Sequence, residues 1–446
     1  MKFRYKGIST YFFLLVFTIC HLPSAICQPI TNSPYSRFGL GELQYAGFVH
    51  NVAMGGIYAA LQNDTTAPFN INTSNPASLA STQLTVFDLG MKSNTTRLET
   101  TDKKFTSNRS ALSYMALAFP VAKWWGASFG LLPYSNVGYK IYDKQEDSLI
   151  GTVNYSYEGE GGINQAYLGN GFKIKNLYLG VNASYLFGDL DYFSRDSFPK
   201  ATNSINTKVS QSTRVSDLYY SFGMQYRKSL KKNWSLTLGG TFSSQTNISV
   251  QKTIFAANYV NNFGVEVIKD TVIDTLLKDA VRIPMMFGGG LVLKKGDKWL
   301  FGFDYSMQKW SDFNSFGQQG LLKDSRRMAM GIQFTPSKSA GTKEPYLKKI
   351  SYRAGFRYTD TYLELKNTGL TDVAFTFGAG FPLRKLRILT DSEKDLEQKY
   401  SQSAINVGFE IGQRGTTDNQ LIRERYINAF ISFTLNDKWF IKRKYD

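Results

Sequence analysis

The chain reads as an all-β protein, a transmembrane antiparallel β-barrel of about fourteen strands with an N-terminal segment that plugs it. Three observations predict this. The first residues have the layout of an export leader, the strand-like segments alternate apolar and polar residues with a period of two, and charged turns run repeatedly straight into Trp.

The leader comes first in the chain. Lys2, Arg4 and Lys6 form a positive start, the residues from Tyr11 to Cys20 are apolar, Pro23 breaks the run, and Ala25-Ile26-Cys27 precedes Gln28. This is the pattern of a secretory signal, with cleavage expected after Cys27. The apolar run is too short for a membrane span, which needs roughly 20 apolar residues. A lipoprotein signal would want a small residue before the cysteine, where Ile26 stands. Removal of residues 1–27 takes away Cys20 and Cys27, the chain's two cysteines, and His21, leaving His50 as the remaining histidine. Disulfides, thiol chemistry and a His-rich metal site are therefore not expected, nor any cofactor.

Beyond the leader no window is apolar enough for a spanning helix, yet 15% of residues are aromatic and 38 are Gly. That density of Tyr, Phe and Gly suits many alternating strands. The formal charge is +17, and 17 − 3 = +14 remains after the leader's Lys2, Arg4 and Lys6. The basic residues are spread over turns and strand ends, so outer-membrane lipid and lipopolysaccharide phosphates are the expected partners and nucleic acid is not.

The alternation is plain in the second half. Trp299, Phe301, Phe303, Tyr305 and Met307 interleave with Gly302, Asp304, Ser306 and Gln308. Tyr352, Ala354, Phe356 and Tyr358 interleave with Ser351, Arg353, Gly355 and Arg357, and Ile405, Val407, Phe409 and Ile411 with Asn406, Gly408, Glu410 and Gly412. Successive strand side chains take opposite faces, so the apolar set is expected to face lipid and the polar set the lumen. Lys123-Trp124-Trp125, Lys232-Asn233-Trp234, Asp297-Lys298-Trp299 and Asp437-Lys438-Trp439 place Trp where its amphipathic ring prefers to lie, at the headgroup boundary.

Strands are expected near 83–91, 110–119, 125–142, 163–172, 177–188, 218–228, 234–243, 282–293, 299–308, 328–335, 350–358, 373–381, 404–412 and 425–435. The even count allows closure without an exposed edge. Short turns alternate with long polar loops at 190–213, 247–280 and 413–424. The stretch 384–403 is long where a short turn is due, and 392–400 is expected to form a small helix capped by Ser392. Residues 28–81 lack strand alternation and are expected to lie inside the lumen as a hatch, with residues 82–446 forming the barrel.

The order of these features resembles the long-chain fatty-acid transporter (FadL-like) family of outer-membrane barrels. Three stretches carry the resemblance: Ala53-Met54-Gly55-Gly56 followed by Asn75-Pro76-Ala77, the run from Trp125 to Tyr134, and Asn164-Gln165-Ala166-Tyr167 leading into 177–187. It implies a fourteen-stranded barrel with an internal N-terminal hatch, a kinked third strand, and passive uptake of hydrophobic small molecules such as fatty acids. The start Tyr35-Ser36-Arg37-Phe38-Gly39-Leu40-Gly41 looks like a Bacteroidota variety, whose relatives include a secretion-associated barrel; the alternative function is therefore a structural or secretion-associated outer-membrane barrel that docks partner proteins. Pro133 has its own physical reading. Proline cannot donate to a ladder, and with Gly130 and Gly138 flanking it, a bulge there is expected to bend the strand and open the wall. Asn75, Pro76, Ala77, Gly130, Pro133 and Gly138 are thus the candidate hatch and ligand-path residues.

Enzyme chemistry is not expected. The Gly-rich stretches at Gly159-Glu160-Gly161-Gly162 and Gly288-Gly289-Gly290 do not open helices after parallel strands, so they are not phosphate loops. His50 falls in the hatch segment and reads as structural. Arg353, Arg357, Glu410 and Asp304 share the expected lumen face and are candidates for a charge cluster there.

Overall fold

The computed structural model describes residues 31–44, 47–63, 69–148, 151–198, 205–262, 265–316, 318–319, 322–337, 345–383 and 403–437. The leader, its cleavage point, the expected helix at 392–400 and the turn leading to Trp439 lie outside the described residues.

Fourteen antiparallel staves form a closed ring. They are β1 (Thr85–Glu99), β2 (Lys104–Ala122), β3 (Trp125–Asn136), β4 (Gly151–Ile174), β5 (Leu177–Ser197), β6 (Asn206–Ser229) and β7 (Trp234–Ser243). Then follow β8 (Met286–Lys295), β9 (Trp299–Gln308), β10 (Ser325–Phe334), β11 (Ser351–Leu365), β12 (Thr368–Pro382), β13 (Ala404–Arg414) and β14 (Arg423–Asp437). Each pairs with the next, and β1 pairs with β14 from Thr85↔Asp437 to Glu99↔Arg423, which closes the ring. Closure satisfies the backbone groups of the first and last strands, which lipid could not.

The alternation sorts the faces as expected. On β14, Ile427, Ile431, Phe433 and Leu435 are exposed, while Asn428, Ser432, Thr434 and Asn436 are buried. On β9, Phe301 and Tyr305 are exposed and Asp304 is buried. An apolar exterior around a polar interior inverts the arrangement of a water-soluble barrel and fits a lipid surround. The Trp turns share one rim. Trp124, Trp125 and Phe172 stack with centroids about 6 Å apart, Trp299 packs on Phe334 at 4.2 Å, and Lys295 lies 5.4 Å from the Trp234 ring.

Two long loops expected from sequence are instead strand. β5 runs on to Ser197 and β6 begins at Asn206, and the segment expected as a loop at 247–280 is a hairpin with arms Thr246–Asn262 and Val265–Ile283. The pairing Ser243↔Met286 continues as Thr246↔Ile283, so the hairpin is an outward extension of β7 and β8. On these extensions regular apolar alternation stops while the hydrogen-bond ladder continues: residues 265–280 are exposed on both faces, and on the arm Thr246–Asn262 the buried Ile248, Val250 and Tyr259 stand among Ser, Gln, Lys, Thr and Asn, so a period-two reading ends too early. Lys208 of β6 donates to Glu266 of this hairpin at 2.8 Å and holds its carboxyl below the usual range.

The third stave is broken in two. Trp125–Asn136 pairs with β4, and so does its outer arm Tyr139–Asp147, with Val137 and Gly138 between them outside the ladder. Buried apolar clusters sit within the ring. One gathers Tyr35, Leu40, Val137, Tyr139, Trp310 and Leu370, and another Phe48, Val49, Leu79, Tyr114, Tyr167 and Phe430.

Candidate functional site

Residues 31–44, 47–63 and 69–81 form short 3-10 turns, a two-residue strand and one helical turn, and part of their polar backbone bonds to the staves. Tyr58 and Ala59 N–H donate to Asp304 Oδ2 on β9 at 2.5 and 2.8 Å. Arg327 on β10 donates to the carbonyls of Gly55 and Gly56 at 2.9 and 2.8 Å, and Gly55 N–H donates to Thr376 on β12. Asn182 on β5 donates to Thr73 O at 2.8 Å, Gln225 on β6 to Ala59 O and Leu61 O, and Asn436 on β14 brackets Phe69. Partners thus come from staves around the ring.

Asn75, Pro76 and Ala77 occupy one of these contacts. Asn75 is fully buried and caps the 3-10 turn Pro76–Ser81, its Oδ1 accepting from Ala77 N–H at 3.1 Å. Its Nδ2 donates to Ala59 O at 2.6 Å and, at longer range, to Gly240 O and Met224 O. Glycines on the facing staves make room for this turn. A Cβ on Gly180 would lie 2.3 Å from Ala77 N, and one on Gly223 would lie 2.0 Å from Asn75 Oδ1.

The second set, Gly130, Pro133 and Gly138, marks a seam in the wall. β2 pairs with β3 from Ala122↔Trp125 up to Met115↔Leu131 and no further. Above that level β2 follows β1, with a register shift that leaves Ser113 extra, while β3 follows β4, with a shift that leaves Tyr134 extra. Two bulges on opposite strands therefore part the wall at one height, where sequence reasoning expected a single bend at Pro133. Pro133 itself stays in register with Asn164. Its missing N–H is tolerated because β3 has lost its β2 neighbour there. Gly130 is regularly paired and its Cβ would meet Met115 O at 2.3 Å, so it permits close strand approach below the seam. Gly138 lies in the break above it, its N–H donating to Ser36 Oγ at 3.1 Å.

The two-residue strand Glu42–Leu43 occupies the seam, pairing with Asn136 and Ser135, and Gln44 N–H donates to Tyr134 O at 2.9 Å. Behind it is an interior cavity of about 260 Å³. Leu43, Tyr114, Leu132, Pro133, Tyr134 and Phe430 line its apolar side, and Lys92, Arg357, Glu410, Arg414 and Glu424 its polar side. Arg357 pairs with Glu410 at 2.6 Å, and Arg414 with Glu42 at 2.8 Å and Asp372 at 3.3 Å. The expected four-residue charge cluster is thus only partly assembled. Arg357 and Glu410 meet, but Asp304 serves the Tyr58–Ala59 backbone and Arg353 bonds Gln333 and Asn406. Arg414, Asp372, Glu424 and Lys92 were missed, although each stands at an inward position of its strand's two-residue period. Among the described residues no group of His, Cys, Asp and Glu is arranged to hold a metal.

Among solved structures the chain is similar to the toluene transporter TodX of Pseudomonas putida, at 15% identity and a TM-score of 0.57 over 89% of this chain and 100% of that one. It is also similar to the toluene transporter TbuX of Ralstonia pickettii, at 12% identity and a TM-score of 0.54 over 88% and 99% of the two chains. A Pseudomonas aeruginosa FadL homologue aligns at 11% identity and a TM-score of 0.56 over 90% and 100%. These likenesses show a shared fold. No sequence among the curated proteins matches. A model of the BamG family matches residues 9–446, which is nearly the whole chain, and the chain therefore belongs to the BamG family.

Proposed function

We propose that the chain is an outer-membrane channel for passive uptake of hydrophobic small molecules, fatty acids being one candidate class, and that residues 28–81 are its internal plug. It is read as a channel and not as an enzyme. The observation that carries the reading is the seam between β2 and β3 with a half-apolar cavity directly behind it. A wall whose ladder is interrupted must direct its unpaired backbone groups to an interior segment or to water. Here Glu42–Gln44 takes part of that role. A ligand resting against Leu132, Pro133 and Phe430 gains about 25 cal/mol per Å² of apolar area buried, so no energy source is required. The fold shared with TodX, TbuX and the FadL homologue supports the same reading. The exposed apolar belt and the basic strand ends suit lipid and lipopolysaccharide in the cell outer membrane of a Gram-negative bacterium. The Tyr35–Gly41 start supports a Bacteroidota variety.

The test is uptake of a labelled hydrophobic probe, such as oleate or toluene, by cells that carry or lack the protein at matched growth. Faster uptake with the protein is expected, and equal uptake refutes the reading.

A second reading, a secretion-associated barrel that docks partner proteins, is favoured by the outer hairpin. Among the described residues the arm Val265–Ile283 pairs on one side only from Val265 to Val281, and Val272 and Leu276 on it are each 57% exposed. Loss of uptake-independent partners on removing this hairpin would favour that reading.

A further inference from the structure

At the short-turn end of the ring, on the other side of the N-terminal segment from the seam cavity, lies a separate cavity of about 60 Å³. Arg353 of β11 enters it and is 6% exposed. Its Nε donates to Gln333 Oε1 and its Nη1 to Asn406 Oδ1, each at 2.8 Å, and Nη2 has no partner among the described residues. Among the described residues no carboxylate pairs with it there, in contrast to Arg357 and Arg414. A buried guanidinium served only by neutral amides leaves its charge uncompensated, which is costly. The surroundings are unsatisfied as well. Among the described residues, His50 Nδ1, both side-chain polar atoms of Gln62, and Oδ1 of Asn70 and Asn72 have no hydrogen-bond partner. All four residues line the cavity, and His50, Gln62 and Asn72 are more than nine-tenths buried.

We propose that this cavity is a binding site for a small oxyanion, held on the free edge of Arg353 with the Gln62 amide and the His50 ring as further partners. In the same measure a water needs about 10–15 Å³, so the space admits several waters or a carboxylate or phosphate group with water. The orphan acceptors of Asn70 and Asn72 suit the hydroxyl of a hydrogen phosphate or the water an anion carries with it. A guanidinium fork matches both oxyanions in geometry and charge. The oxyanion has two sources, free phosphate and the carboxylate head of an amphiphile. The site itself does not rest on the uptake reading.

The chain has two histidines, His21 and His50. A ring-15N histidine label in the detergent-solubilised protein therefore reports on the cavity, with His50→Gln assigning the signal. Inorganic phosphate, octanoate and, as control, chloride are titrated at constant ionic strength. A saturable shift of His50 is expected with phosphate, octanoate or both. Phosphate alone identifies free phosphate as the ligand, octanoate alone the amphiphile head, and both the shared chemistry. No shift with either, or an equal shift with chloride, overturns the proposal. Arg353→Gln should weaken the response at least about tenfold, as expected for one charged hydrogen bond. Gln62→Leu tests the same site from outside the strand ladder and should also weaken it. Responses of wild-type strength in both variants overturn the proposal.

Discussion

Substituting Gly180 by Ala is the sharpest test of the plug. The new Cβ would stand 2.3 Å from Ala77 N and 2.3 Å from Pro76 C, where ordinary contact begins at 3.4 Å. Both are backbone atoms, so the turn must retreat by about 3.4 − 2.3 = 1.1 Å. The Asn75 Nδ2 bonds to Gly240 O and Met224 O, at 3.3 and 3.4 Å, do not survive that retreat, and the 2.8 Å bond from Asn182 to Thr73 O is stretched. Overpacking costs about 1–3 kcal/mol and each of the two lost bonds about 1 kcal/mol, so docking weakens by roughly 3–5 kcal/mol. That is on the order of a hundredfold to a few thousandfold more undocked segment. The strand itself loses nothing, since Ala is no worse than Gly in a ladder. In planar bilayers the variant should open far more often than wild type while keeping its heat-modifiable gel shift. Gly240→Ala is the matched control, because its Cβ would meet nothing nearer than Gly288 O at 3.9 Å. Wild-type conductance in a folded Gly180→Ala protein would refute the plug.

Three further outcomes are expected. Pro133→Val restores an N–H and favours a longer β2–β3 ladder, so uptake of a hydrophobic probe should fall at matched surface expression, with thermal stability equal or higher; unchanged uptake would remove the seam as the route. Asp304→Asn weakens two charge-assisted bonds to Tyr58 and Ala59 N–H and should loosen the segment by about 2–4 kcal/mol, seen as faster proteolysis within residues 47–63 of an intact barrel. Joining Ser243 to Met286 by a short turn deletes the outer hairpin but keeps their pairing, so the barrel should fold and uptake should persist; loss of function without loss of uptake would favour the docking reading.

The sequence by itself determined the barrel. Period-two alternation, as in β9 and β14, sets which side chains face lipid, and Trp at the turns sets the rim, because both are local consequences of backbone geometry and the bilayer. The count of fourteen came from the same signal. Strand ends were not legible beyond the apolar belt, since the ladder continues there without a regular apolar alternation, and residues 247–280 were therefore read as loop. Asn75-Pro76-Ala77 stood out through the family resemblance, and Pro133 through its missing backbone donor. Only the tertiary structure decided what they touch. The seam arises from two bulges, at Ser113 and Tyr134, on strands whose bends show only when they part, and neither residue has a distinctive type. Arg353 and Arg357 sit four residues apart on one face of β11 and look alike in sequence. One meets Glu410 and the other meets amides and a cavity, because pairing across a closed ring depends on register between distant strands and on the contacts that residues 47–63 and 69–81 make with the staves.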